Sequence, residues 1–344
     1  MTRASLTCAP QGCPATTVHL GTELEEISAA TSADGVFVLT DERLAKLHAT
    51  LCHDRSFCVE GGETAKTMAS LHDVLCEMAR RGLRRDSHLI ALGGGSIGDL
   101  GGLAASLYLR GIQLTQIPTT LLAMLDSSVG GKTAINLPEG KNLAGTFWPA
   151  QEVFIHTGFV ETLSPEEFDS GLGEALKMAI GLSPELFDLL DQKPDAVRDR
   201  DLDTLTEVVR LALRAKIDIV ESDPQEQLGK RQLLNLGHTI GHALEADSGY
   251  RLVHGKAVAR GTHFAIDLAQ QRGAITDEAA ERCHALLSSY GFEAYPIPDY
   301  SRLGPFIERD KKAAQAGLHF VLPTGLGSSK TELLSFADLE AATC

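Results

Sequence analysis

His88-Leu-Ile-Ala-Leu92-Gly-Gly-Gly-Ser96-Ile-Gly98-Asp99 decides how the first half of the chain is read. The run from His88 to Leu92 suits a short buried strand, and the glycines after it permit a tight turn whose backbone can approach a ligand. A helix beginning near Asp99 then points its positive end back at that turn. Strand, glycine turn and helix in this order make a cradle for a diphosphate. The pattern repeats on either side. Val36-Phe-Val-Leu39 is a short apolar strand ending at Thr40-Asp41, Met68 to Arg80 is helix-like, and Gln113 to Ile117 gives a further strand closed by Pro118. Strands alternating with helices predict a parallel-sheet α/β nucleotide-binding domain over residues 1–160.

Beyond about residue 160 the β signal nearly vanishes, which predicts a mainly α-helical domain over 161–344. Leu205, Val209, Ala212, Lys216 and Ile219 fall on one helical stripe, placing Lys216 on an apolar face. On composition alone such a lysine carries its ammonium out to solvent along its stem. Lys193 to Asp201 is a polar, loop-like connection between two helices. From about Arg231 a helix carries Arg231, Asn235, His238, His242 and Glu245 on one face, with Leu233, Leu234, Leu236, Ile240 and Leu244 elsewhere. A polar stripe on an otherwise apolar helix lines a cavity. His238 and His242 have metal-ligand spacing, and His254 is near enough in sequence to join them. In Gly171-Leu-Gly-Glu174-Ala-Leu-Lys177 the acid and the lysine share a helix face, a pair worth little if exposed.

Length and charge narrow the class. A chain of 344 residues exceeds the usual single domain, and a formal charge of −15 argues against nucleic acid or an anionic membrane as the main partner. An anionic ligand therefore needs a locally basic site. No stretch is long and apolar enough to span a membrane, and Met1 is not followed by a basic segment leading into an apolar one, so a cytoplasmic setting is expected. The seven cysteines, at 8, 13, 52, 58, 76, 283 and 344, form no Cys-x-x-Cys pair and read as reduced structural thiols.

The locally basic stretch is Asp126-Ser-Ser-Val-Gly-Gly-Lys132-Thr-Ala-Ile-Asn136-Leu-Pro-Glu-Gly140-Lys141-Asn142, too polar for core and too short for a linker. It reads as a flexible anion-binding surface. Together with Leu92 to Gly102, Tyr108-Leu-Arg110-Gly, Ile117-Pro118-Thr119-Thr120 and Leu234-Asn235-Leu-Gly-His238-Thr-Ile-Gly-His242, it resembles the 3-dehydroquinate synthase family, from about Gly62 to about Lys312 and with the motifs in family order.

That resemblance implies zinc or cobalt ligands at Glu174, His238 and His254, leaving an open coordination position. It implies NAD+ contacts at Asp41, Gly62, Glu63, Lys66, Gly95, Ser96, Ile97, Gly98, Asp99, Thr119, Thr120, Lys132, Lys141, Phe159 and Thr162. Substrate contacts fall on Arg110, Asp126, Lys132, Asn142, Lys177, Lys216, Arg231, Asn235, His242 and the pair Lys311 and Lys312. It further implies a homodimer, a cleft between two domains as the active site, and conversion of 3-deoxy-D-arabino-heptulosonate 7-phosphate to 3-dehydroquinate and phosphate. The alternatives are a related cyclase acting on sedoheptulose 7-phosphate or an amino analogue, and a metal-dependent polyol dehydrogenase sharing the glycine turn. Departures from common family wording occur at His156, Met178 and Thr262.

Overall fold

The computed structural model describes residues 3–53, 56–310 and 317–343. Its contacts divide the chain into two compact units, residues 1–163 with 220–225, and residues 164–219 with 226–344.

In the first unit the elements run β1 (Ala4–Cys8), β2 (Thr16–Leu20), α1 (Leu24–Ser32), β3 (Val36–Asp41), α2 (Glu42–Leu47), β4 (Ser56–Val59), α3 (Met68–Arg80), β5 (His88–Gly93), α4 (Gly95–Leu107), β6 (Gln113–Pro118), β7 (Lys132–Leu137), β8 (Gly140–Phe147) and β9 (Glu152–Ile155). Seven strands form one sheet in the order β1-β2-β9-β6-β5-β3-β4, parallel except where β1 meets β2. Both faces of β5 are covered, and Leu89 to Leu92 are buried. The chain leaves β3 for the edge strand β4 and returns to β5 on the other side of β3. The carboxyl ends of β3 and β5 therefore flank a topological switch point, where open α/β sheets bind ligands.

Two features of this unit differ from the sequence reading. The helix after the glycines begins at Gly95, not near Asp99, so Ser96 to Gly98 form its first turn and Asp99 lies in its second. The stretch from Asp126 to Asn142 is not an open loop. Asp126 sits in a π-helical turn, Ala123–Ser127, and Lys132 to Asn142 lie on the antiparallel hairpin β7–β8.

The second unit contains α5 (Pro165–Leu182), α6 (Pro184–Gln192), α7 (Pro194–Arg198), all but the last three residues of α8 (Leu202–Ser222), α9 (His238–Asp247), α10 (His254–Gln271), α11 (Asp277–Ser289), α12 (Tyr300–Asp310), β10 (Leu318–Gly325), β11 (Ser328–Leu334) and α13 (Phe336–Thr343). It is mainly helical, as expected, with an antiparallel hairpin β10–β11 that the sequence reading overlooked. The predicted loop from Lys193 to Asp201 contains the short helix α7. Ser164 and Glu167 form a capping box that starts α5, with Pro165 in its first turn.

Helix α10 packs against both α5 and α9 with its backbone unusually close to each. A Cβ on Gly255, at the start of α10, would stand 2.5 Å from the Ser170 carbonyl oxygen of α5, and one on Gly173 would strike the Gly255 backbone. Only glycine fits there. Gly255→Val should lower unfolding stability by about 1–3 kcal/mol through overpacking, read from the urea midpoint. An unchanged midpoint would show that the crossing yields freely.

Candidate active site

In the second unit, three side chains from three helices converge. Glu174 lies in α5, His238 opens α9 and His254 opens α10. Glu174 Oε1 is 3.5 Å from His238 Nε2 and 3.3 Å from His254 Nε2. It is buried, with these two imidazole nitrogens beside it. Ligands bonded to a tetrahedral zinc through nitrogen or oxygen stand about 3.4 Å apart, so this spacing fits a metal. The other donors are already directed away. Lys177 Nζ donates to Glu174 Oε2 at 2.6 Å and to the Leu234 carbonyl at 2.8 Å. His238 Nδ1 lies 3.1 Å from the Leu236 carbonyl, which can only accept, so Nδ1 carries the hydrogen and Nε2 presents its lone pair.

Electrostatics agree with a cation site. Burial alone would raise the Glu174 carboxyl, but Lys177, His238 and His254 outweigh it and hold the group well below the usual carboxylate range. Burial takes His238 down to about 3, so it is neutral at physiological pH. Burial also opposes charge on His254, yet its contacts with the Glu174 and Glu245 carboxylates raise it to about 10. The metal-free cluster therefore holds one proton where a cation would sit.

In the first unit, Lys66 is buried and its Nζ donates to Asp99 Oδ2 at 2.6 Å and to Asn142 Oδ1. Asn136 Nδ2 reaches Glu63 Oε1 at 2.8 Å, while its own side-chain oxygen accepts from the Asn142 backbone at 2.9 Å. Ser96 Oγ is 3.4 Å from Glu63 Oε2. The hairpin is thus tied to the first turns of α4.

Residues 56–170 match the 3-dehydroquinate synthase N-terminal family model, and residues 171–313 match the corresponding C-terminal model. This chain belongs to the 3-dehydroquinate synthase family. A 3-dehydroquinate synthase of Acidithiobacillus ferrooxidans is 39% identical over 340 residues, 94% of this chain and 92% of that protein. One from Geobacter metallireducens is 42% identical over 268 residues, covering 77% and 74%. Among solved structures, 2-epi-5-epi-valiolone synthase from Streptomyces hygroscopicus subsp. jinggangensis 5008, with NAD+ and Zn2+ bound, is 27% identical with a TM-score of 0.85 over 98% of this chain and 97% of that one. A 2-deoxy-scyllo-inosose synthase at 23% identity and a TM-score of 0.82, covering 99% of both chains, shares the fold.

The family's expected positions are placed as follows. Lys177, Lys216 and Arg231 are buried, so neither the solvent-directed lysine nor the exposed ion pair allowed by composition is what forms. Asn235 and His242 are exposed, as are Arg110, Lys132, Lys141 and Asn142. The polar stripe is not one helix. Lys230–Asn235 is a 3₁₀ turn, and Gly237 at φ +75° separates it from α9, because α10 passes where any Cβ would go. His242 remains one turn after His238, with ring centroids 5.1 Å apart.

Asp41, at the end of β3, accepts from Leu44 N as the cap of α2. Gly62 adopts φ +79°, just before Glu63. Gly95, Ser96, Ile97 and Gly98 form the first turn of α4, and Thr119 N bonds the Gly93 carbonyl across the sheet. Thr120 Oγ1 accepts from Ala123 N, Phe159 is buried, and Thr162 Oγ1 donates to the Phe159 carbonyl. Lys311 and Lys312 lie outside the described residues. Among the departures, His156 lies 2.9 Å from the Thr22 carbonyl and meets Phe159 edge-on, Met178 is core, and Thr262 bonds the Val258 carbonyl within α10. The carbonyls of Leu234 and Leu236, which fix Lys177 and His238, had no signal in the sequence, since every residue has one.

Because the folded value for His254 is raised above 6.5, its proton is held through the window from pH 6.5 to about 10 and lost only above it. Zinc binding inside that window should release about one proton per ion, seen as a calorimetric enthalpy that varies with the buffer's ionisation enthalpy. Identical enthalpies in all buffers would contradict this.

Proposed function

We propose that this chain converts 3-deoxy-D-arabino-heptulosonate 7-phosphate to 3-dehydroquinate and phosphate, by an oxidation reversed within the same turnover, phosphate elimination and aldol ring closure. The convergence of Glu174 Oε1, His238 Nε2 and His254 Nε2 carries the reading, because it is an open three-ligand set in a chain of this family. A Zn2+ or Co2+ ion held there supplies Lewis acidity toward substrate hydroxyls, and NAD+ on the Gly95 to Asp99 turn supplies reversible hydride acceptance.

The protein's own groups do the positioning. An ammonium has three N–H groups; Glu174 and the Leu234 carbonyl take two from Lys177, leaving one for a substrate oxygen. His242, one turn from His238, is the exposed imidazole for moving a proton. Lys216 and Arg231 are buried cations suited to the carboxylate end of the substrate, and Asn235 offers an exposed amide to phosphate. From the first unit, Lys132, Asn142 and Arg110 supply further phosphate donors, Asp126 a hydroxyl contact, and Asp41, Glu63, Lys66, Thr119, Thr120, Lys141, Phe159 and Thr162 the nucleotide surface. Lys311 and Lys312 are kept as substrate contacts on the resemblance. A homodimer and a cytoplasmic setting follow from the same family reading; among the described residues no helix is long and apolar enough to cross a membrane.

Phosphate release should require only catalytic NAD+ and leave no lasting NADH absorbance. Stoichiometric NADH would instead favour the polyol dehydrogenase reading, and faster release from sedoheptulose 7-phosphate the related cyclase. EDTA should abolish turnover and Zn2+ or Co2+ restore it.

Lys132→Ala tests the hairpin. Loss of one charge-assisted contact costs about 1.5 to 3 kcal/mol, or roughly ten- to a hundredfold. Its kcat/KM should fall at least about tenfold by that figure, with near-normal NAD+ affinity. A variant weakened only in NAD+ binding would make the hairpin a nucleotide clamp.

A further inference from the structure

His254 presents Nε2 toward Glu174 although α10 has no side-chain cap to fix its first residue. Its other ring nitrogen is engaged. His254 Nδ1 lies 3.2 Å from Glu245 Oε2, and Glu245 is buried near the end of α9. A carboxylate only accepts, so Nδ1 carries a hydrogen, and Nε2 is the nitrogen that turns a lone pair to the ligand set once a metal displaces its proton. His238 obtains the same arrangement from the Leu236 carbonyl. The two histidines are thus oriented by different means, one by backbone and one by a side chain that can be removed.

Glu245 is also well anchored. Seven residues separate it from His238, two turns of α9, which puts both on one stripe. Its carbonyl accepts from Tyr250 N at 2.7 Å and Ser248 Oγ at 2.8 Å, and Ser248 Oγ in turn accepts from Leu252 N at 3.0 Å. The connection leading to His254 is therefore fastened at the residue whose carboxylate holds the imidazole.

We infer that Glu245 is the positioning residue for His254, fixing its Nδ1–H tautomer and ring plane so that the metal meets a preoriented Nε2. This rests on the metal-site reading above. Histidine ligands oriented by a carboxylate lose about ten- to a hundredfold in metal affinity when the carboxylate is removed. The same residues admit a competing arrangement, since His242, Glu245 and His254 also bring donor atoms within 4.8 Å of one another and could hold a second ion.

The test uses the full chain, stripped of metal, with Glu245→Ala and Glu245→Gln. Zn2+ affinity is measured by chelator competition, the bound geometry by the visible absorption of the Co2+ form, and folding by thermal melting of the metal-free proteins. Glu245→Ala should bind Zn2+ about ten- to a hundredfold more weakly, with an altered Co2+ spectrum. Glu245→Gln keeps an acceptor and should recover most of the affinity and the wild-type spectrum. Unchanged affinity and spectrum in Glu245→Ala overturn the inference while leaving the metal site intact. So does an equal affinity loss in both variants that tracks lowered melting, which makes the role structural. A stoichiometry of two ions in the wild type, falling to one in Glu245→Ala, makes Glu245 a ligand. A wild type that binds no ion overturns the metal site itself.

Discussion

Contact between helix backbones at Gly173 and Gly255 is the constraint on which the metal cluster depends. Each glycine is followed or preceded in sequence by a ligand, Glu174 after Gly173 and His254 before Gly255. A helix crossing at side-chain distance is about 8–10 Å between axes, whereas a Cβ at Gly173 or Gly255 would meet the facing backbone, so the helices touch directly beside the ligands. The absence of Cβ atoms removes that spacing at the ligands themselves. Gly237, whose Cβ would meet Thr262 and the Val258 carbonyl, does the same where α9 meets α10, directly before His238. Packing and ligation are consequently set by the same residues.

Close packing creates a second problem, the burial of charge. Glu174 and Lys177 expose 1% and 2% of their side chains. A buried ion pair is tolerated only when its remaining hydrogen-bonding groups are satisfied. Lys177 meets this through the Leu234 carbonyl, whereas Glu174 Oε1 has the His238 and His254 imidazole nitrogens beside it. A stable buried carboxylate oxygen with two imidazole nitrogens beside it is a place prepared for a cation. The raised affinity of His254 for a proton in the metal-free protein is the same preference expressed toward the smallest available cation.

The first unit solves a different problem, presenting backbone donors to an anion in a protein of net charge −15. Starting α4 at Gly95 leaves the N–H groups of its first turn at the carboxyl end of β5. Lys66, buried between Asp99 and Asn142, links the second turn of α4 to the hairpin. Asn142 adopts φ +57°, a left-handed conformation that asparagine tolerates better than most residues. Its backbone bond to Asn136 then closes the hairpin end.

The sequence by itself determined β3, α3, β5, the presence of α4 and β6, because period and glycine punctuation are local properties, but not β1, β2, α1, α2 or β4; the helix Met68–Arg80 was legible to the residue. It also determined the family, through motifs whose order survives without any geometry, and with it the identity of the candidate ligands. It did not show that the stripe from Arg231 to Glu245 is broken, since Gly237 is forced to positive φ only by α10 arriving from elsewhere. It did not reveal β10–β11, whose pairing is nonlocal, nor the hairpin of Lys132 to Asn142, whose polar composition hides its strands. Tertiary structure alone decided that Lys177 and Lys216 are buried rather than solvated, and which nitrogen of each histidine faces Glu174. Both depend on atoms brought close by packing, a carbonyl or a carboxylate distant in space until the helices touch, and on no property of the residues read in order.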